Sequence, residues 1–440
     1  MAPQQQSTTK RYAVVGAGIA GLAAAHRLRR AGHDVELIER DAVLGGRMGL
    51  DRLGTRPIMV GGKNLGRKYS ELRAFLTDLG DPALEPFGIN TSRVVHGRLL
   101  TFDSTASPLR RLRVLLDGGS IADLVKLFRL AVQVRRKEEN RFLGSADFTE
   151  IAERSDERPL SAHFGPRAVR NILRAMTVRM NGAEPDEVYL GTFGTNLGML
   201  MDTFDQLTDG MDPVIAALAE QISVSTRTVA VGLVLSDGGV GGLRVTQDGG
   251  PPQEQYYDGV VVALPAPAAA QLLASEMPTL SKQLAEVTYF PAAVAVVEYD
   301  EPVFEMTTRA IALDDGPCSN AGVYGTDDLH IVRYTFSGRA ARSSTKDEVD
   351  EWLDQAEARI AGLLGRTRMT RVRTVVRQWE AAYCAYLPFH SRFLRQVRTE
   401  TAAVTGLELA GDYLRGAPLE AAFRSGVEAA DRLLASAHGQ

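Results

Sequence analysis

The sequence predicts an α/β protein in which a nucleotide-binding domain with a parallel sheet, split into separate pieces of chain, carries an inserted α+β domain. Three observations predict it. The chain opens on a strand, a glycine-rich turn, a helix and a second strand. It closes on a strand, a Gly-Asp turn and a helix. Between the two ends lie a helical, arginine-rich stretch and a later stretch of strands with one helix. At 440 residues, 45% of them hydrophobic, the chain exceeds one compact core of ordinary size and has enough apolar residues for two.

The opening elements follow from local pattern. Tyr12, Ala13, Val14 and Val15 are a short apolar run. Residues 19–31 are rich in Ala and Leu and stop at Gly32, a helix-ending residue. Val35, Glu36, Leu37 and Ile38 form the second strand, which ends at Glu39. Helical periodicity dominates residues 96–204. Within it, residues 123–134 place Leu124, Val125, Phe128, Ala131 and Val132 near one face, surrounded by Arg110, Arg111, Arg113, Lys126, Arg129, Arg135, Arg136 and Lys137. Strands are predicted over 228–235, 243–247, 259–264, 293–299 and 330–336, and a helix over 346–364. Residues 407–434 read as strand, turn and helix. The first domain is thus expected over 8–95, 205–275 and 395–440, and the inserted, substrate-binding domain over 96–204 and 276–394.

The first motif is Gly16-Ala17-Gly18-Ile19-Ala20-Gly21. Gly16 permits a tight turn, Gly18 lets a pyrophosphate approach the backbone, and Gly21 lets the helix pack on the strand. The helix start then offers N–H groups and a positive dipole end to phosphate. Glu39 is placed to accept hydrogen bonds from a ribose diol, which argues against a 2′-phosphate and hence against NADP. This is a Rossmann-type opening.

A second motif follows the second strand: Glu39, Arg40, Asp41, Ala42, Val43, Leu44, then Gly45-Gly46-Arg47. A guanidinium beside glycines can pair bidentately with phosphate oxygens. The third is Leu407-Glu408-Leu409-Ala410-Gly411-Asp412, followed by Glu420-Ala421-Ala422 and Ser425-Gly426. Together these segments resemble the flavin amine oxidase superfamily, which includes monoamine oxidases, protoporphyrinogen oxidases, phytoene desaturases and renalase. The resemblance implies bound FAD. It implies that Gly46 and Arg47 meet the pyrophosphate and that Asp412, after Gly411, binds the ribityl or pyrophosphate portion. It also implies that the helix start near Glu420, Ala421 and Ala422 faces the flavin pyrimidine edge, that Val229 flanks the adenine, and that Gly61 and Gly62 lie beside the isoalloxazine.

The substrate-handling residues rest on the same resemblance. Lys63 follows the Gly61-Gly62 pair and is read either as a cation near the flavin or as a solvated surface lysine. Trp379, Tyr383, Cys384, Tyr386, Pro388 and His390 resemble a late segment that lines an aromatic wall. There Trp379 and Tyr386 would clamp a planar substrate, Tyr383 would belong to the reacting site, and His390 would be a base near neutral pH. Core packing is the alternative for each. Cys384 resembles the cysteine that holds flavin covalently in monoamine oxidases, but its spacing from Trp379 and the missing flanking glycine depart from that pattern, so non-covalent FAD is expected. Amine oxidases commonly carry a lysine before an apolar turn on one strand; residues 289–299 here contain none. That absence favours C–C desaturation over oxidation of an amine or amino acid. A redox-neutral isomerase is a further reading. Two others are disfavoured. Rab GDP-dissociation inhibitors, which only bind proteins, lack the flavin signature kept here. Aromatic hydroxylases place a different segment after Gly-Asp.

The remaining expectations come from composition. A net charge of −4 gives no reason to expect a nucleic-acid partner. Cys318 and Cys384 fit neither a disulfide framework nor a metal-ligand spacing, and the seven histidines are scattered, so no metal is expected. The first ten residues lack the apolar core of a signal peptide, and no apolar run is long enough to cross a bilayer. The expected setting is a cytoplasmic, bacterial biosynthetic enzyme acting on a small organic molecule, with O2 or another electron acceptor. The basic insertion at 105–145 resembles membrane-adjacent segments of protoporphyrinogen oxidases, but such a helix is usually a solvated face, so membrane-surface contact is disfavoured.

Overall fold

The structure, a computed structural model, describes residues 9–87, 91–95, 98–101, 118–236, 238–313, 315–342, 345–366 and 368–438. Arg110, Arg111 and Arg113 of the basic insertion lie outside the described residues.

Strand β1 (Arg11–Val15), helix α1 (Ile19–Arg30) and strand β2 (Asp34–Ile38) form the predicted opening. They belong to a five-stranded parallel sheet in the order Ser223–Ser225, β2, β1, Gly259–Val262, Leu407–Leu409. A parallel sheet is buried on both faces, so its strands read as apolar runs rather than alternating ones. Along β1 the side chains still divide by pleat. Tyr12 and Val14 join one core with α1 and the C-terminal helix Leu419–His438. Ala13 and Val15 join another core with helices Ala266–Leu273 and Pro278–Ala285. The chain leaves β1 towards β2 on one side and returns beside it as Gly259–Val262 on the other. The glycine turn therefore lies at the switch point of the sheet, where open α/β folds bind ligands.

The second sheet has seven strands, in the order Arg371–Ala385, Thr288–Tyr299, Ile331–Phe336, Cys318–Val323, Ala310–Ala312, Thr91–Val95, Arg98–Thr101. Its neighbours pair antiparallel except Ala310–Ala312 with Thr91–Val95. Strand Thr91–Val95, expected at the end of the first nucleotide-binding piece, thus lies in this sheet. Helix Lys346–Leu364, foreseen with the same bounds, is fixed by a Thr345–Glu348 capping box and ends at Gly365; it covers one face through Val349, Leu353, Ala356 and Ile360. The outermost strand, Arg371–Ala385, carries exposed Arg371 and Arg373, as edge strands do to resist pairing with other chains.

A helical layer built from residues 118–201 supplies a further core. Its helix Ile121–Arg136 has the predicted period but not the predicted phase. Leu130 and Val134 are buried, whereas Val125 and Phe128 are exposed. Asp123 decides the phase: its carboxylate accepts hydrogen bonds from Ser120 and from the Gly165 N–H, which turns its own side of the helix inward. No helix among the described residues is long and apolar enough to cross a membrane.

Candidate functional site

The glycine turn packs as the motif requires. A side chain at Gly21 would bring its Cβ to 1.8 Å from the Gly16 carbonyl oxygen, whereas at Gly18 a Cβ would meet nothing within 4 Å. Gly18 therefore faces open space at the start of α1, while Ile19 and Ala20 are buried in the helix. Glu39 is buried, and its carboxylate accepts from the Ala17 N–H (2.8 Å) and the Asp41 N–H (3.0 Å). It thus holds the turn in place and keeps lone pairs for a diol. Arg40 is exposed and lies beside Asp41. Val229, 43% exposed, follows Thr228, whose N–H binds the Glu39 carbonyl.

The second motif folds onto the first. A Cβ at Gly46 would lie 3.2 Å from the Gly18 Cα. The backbone then runs beside the Gly61-Gly62 pair, with the Gly62 N–H donating to the Arg47 carbonyl. Arg47 donates to Asp412 at 2.6 Å and to the Ala382 carbonyl at 3.2 Å. Residues 365 positions apart in sequence are joined here. Asp412 also accepts from the Tyr289 hydroxyl at 2.7 Å. Desolvation opposes the Arg47 cation, but the charge and hydrogen bond of Asp412 outweigh it and raise its pKa. Gly411 donates its N–H to Ser425, which ties the Gly-Asp turn to the C-terminal helix. The start of that helix reaches the glycine pair, where Leu419 packs against Gly62.

Several expected roles are corrected. Glu420 does not turn its side chain to a ligand: it is buried, accepts from the Glu71 and Leu72 N–H groups that open helix Ser70–Asp78, and pairs with Arg424. Ala421 and Ala422 are buried in the first turn of their helix, so only backbone can face a ligand there. Lys63 is no surface lysine. It is buried, with Nζ bonded to Gln206 and to the Tyr324 carbonyl and lying 3.5 Å from the Phe87 ring centre. Burial and the neighbouring Arg333 pull its pKa well down. Tyr386 packs in a core with Cys384, Phe393 and Tyr413 rather than on a wall. Cys384 is buried there, and burial raises its thiol pKa. That disfavours the thiolate a covalent flavin link would need.

His390 is corrected most clearly. It is buried, with Nε2 bonded to the Tyr413 carbonyl at 2.8 Å and Nδ1 accepting from the Leu387 N–H at 3.3 Å. Both nitrogens are used by a neutral ring, so it is a structural residue and no poised base. Desolvation pulls its pKa down to about 4. The unfolded chain binds this proton near pH 6.5. Stability from His390 is therefore complete above pH 6.5 and is lost as pH falls towards 4, on the order of 3 kcal/mol in all. His390→Gln is expected to weaken the protein at pH 7.5 and to flatten this acid dependence. Urea midpoints at pH 7.5 and 5 check it: an equally steep fall in the variant would contradict the assignment.

Trp379 and Tyr383 both pack against glycine backbone. The Trp379 ring rests against Gly49, and Tyr383, next to Ala382, packs against Gly182. Two residues that the sequence reading passed over complete the site. Tyr289 is the second holder of Asp412. Arg333 donates to the Val60 and Gly61 carbonyls at 3.1 Å each, so it fixes the glycine pair from the second sheet. A lone charge inside the otherwise uncharged strand Ile331–Phe336 was the available signal.

These segments form one cradle of glycine backbone, two helix starts and an arginine–aspartate pair, which suits a dinucleotide. A model of flavin-containing amine oxidoreductases matches residues 19–434. The chain belongs to this family. That family is described as one of flavin-containing oxidoreductases. The chain is 28% identical over 268 residues to a Mycobacterium tuberculosis protein named as a flavin-containing monoamine oxidase, AofH, covering 57% of this chain and 56% of that one; the match thus spans little more than half of that relative. It is 22% identical over 467 residues to coproporphyrinogen III oxidase of Mycobacterium leprae, covering 97% and 99%. In fold it is similar to cyclohexylamine oxidase from Brevibacterium oxydans, with a TM-score of 0.74 at 18% identity, covering 98% and 100%.

Proposed function

We propose that this flavoenzyme dehydrogenates a small organic substrate, with C–C desaturation or a related oxidation favoured over oxidation of an amine. The observation that carries the reading is the meeting of Arg47, Asp412 and Tyr289 beside the Gly61-Gly62 pair, with Trp379 and Tyr383 next to it. Bound in this cradle, FAD supplies the acceptor for a hydride from a substrate C–H bond. The N–H groups at the start of α1 would hold its pyrophosphate, and Glu39 its adenosine ribose. Trp379 and Tyr383 would orient a flat substrate and keep water out. The second sheet and the helical layer would form the substrate-binding part. Strand Thr288–Tyr299 carries no lysine, which supports the preference against amine chemistry. O2 or another acceptor would complete the cycle.

The test is an absorbance spectrum of the purified protein before and after acid precipitation, followed by anaerobic addition of candidate substrates. A flavin spectrum released into the supernatant is expected. Colour held in the pellet would point to a covalent link at Cys384. Bleaching by simple amines, and not by saturated precursors of conjugated products, would replace desaturation with amine oxidation.

A further inference from the structure

Helix Arg174–Asn181 follows a π-helical turn, Val169–Leu173, and ends at Gly182. π turns re-phase the helix after them and occur often at functional sites. The ring of Tyr383 packs against Gly182, so the last turn of this helix stands over the wall beside the glycine pair. That turn carries Arg179. Nearby arginines are paired: Arg174 with Glu184, Arg342 with Glu187 and Arg339 with Asp186. Arg179 is half-buried and has no hydrogen-bond or ion-pair partner among the described residues, and neither has the Tyr383 hydroxyl. Arg333, whose charge also acts on Tyr383, already spends donors on Val60, Gly61 and Thr335.

A desolvated cation without a partner is destabilising unless something offsets it. Burial lowers the Arg179 pKa, and the Tyr383 phenol feels both Arg179 and Arg333. A pull from the dipole at the end of its helix could explain a cation here, but no carbonyl of that last turn receives a hydrogen bond from the guanidinium. One free guanidinium beside one free phenol matches the charge and planar shape of a carboxylate. It would leave a phosphate dianion half neutralised.

We propose that Arg179, with the Tyr383 hydroxyl, binds a carboxylate of the substrate and so selects acids over neutral or purely cationic molecules. This rests on the placement of the substrate beside Tyr383 given above.

The test uses the holoenzyme and two probe pairs, benzoate with benzamide and 3-phenylpropionate with 3-phenylpropionamide. Binding is read from the shift of the flavin absorbance band and, independently, by calorimetry. The acids are expected to bind about 10- to 100-fold more tightly than the amides, the effect of a charge-assisted bidentate pair. Arg179→Met should abolish that preference while leaving amide binding and flavin content unchanged, and Arg179→Lys should keep part of it. Tyr383→Phe should reduce it several-fold and serves if Arg179→Met does not fold. L-Phenylalanine separates two sources: tighter binding than 3-phenylpropionate assigns an α-amino acid, and equal or weaker binding assigns an acid arm remote from the reacting carbon. Amides that bind as well as acids, or an Arg179→Met protein that keeps its preference, overturn the proposal. Absence of flavin would instead overturn the cofactor reading, and calorimetry would still report on the carboxylate.

Discussion

Gly18→Ala is expected to fold with near wild-type stability and to bind FAD about 10- to 100-fold more weakly, as losing one or two charge-assisted N–H contacts to phosphate would do. Gly18 has φ −72° and ψ 178°, which alanine adopts freely, and its Cβ would meet nothing in the protein within 4 Å. The new methyl would project only into open space, the place proposed for a pyrophosphate. Gly21→Ala, three residues on, is expected to behave in the opposite way. Its Cβ would lie 1.8 Å from the Gly16 carbonyl oxygen, so α1 must move off the sheet or the turn must open. Overpacking at such a contact costs about 3 kcal/mol or more. Thermal unfolding of the apoproteins with FAD titrations separates the two. If Gly18→Ala kept full affinity, the open face at the start of α1 would not be the phosphate site.

Arg47→Met is expected to lower stability by about 2–4 kcal/mol, somewhat less than the roughly 3–5 of a fully buried pair because the arginine keeps some solvent. The Arg47 side chain is 33% exposed and that of Asp412 5%. Removing the cation leaves a buried carboxylate with the Tyr289 hydroxyl as its remaining side-chain partner. Asp412→Asn removes the charge and should restore part of the loss when combined with Arg47→Met. A double-mutant cycle by urea denaturation measures this, with a coupling of about 1–3 kcal/mol expected between contacting charges. Additive effects would show that the pair is not energetically joined. Both single variants should also lose flavin, because the pair links the second and third motifs.

The residues most legible in the sequence were those whose structural part is local. Gly16 and Gly21 pack against each other within one turn, and Glu39, at the end of the next strand, holds that turn through the Ala17 N–H. Helix Lys346–Leu364 was legible because its capping box and terminal Gly365 are adjacent in sequence to what they cap. The late aromatic segment was not, because Tyr383 and Tyr386 share composition but not surroundings. Tyr383 meets Gly182, while Tyr386 enters a core with Phe393 and Tyr413. His390 looked like a base because its type permits one. The Leu387 N–H and the Tyr413 carbonyl, neither visible as a motif, fix it neutral.

The sequence by itself determined the α/β fold of a flavoprotein family with its glycine turn, because backbone conformation and strand-to-helix packing leave their mark in glycine spacing and apolar runs. Only the tertiary structure decided that Arg47 meets Asp412, that Glu420 caps a helix, that Lys63 is buried and that Arg179 stands near Tyr383 with no partner among the described residues. Each of these depends on which distant segment arrives at the same place, and the charge and burial of a side chain are set by that neighbour and not by its position along the chain.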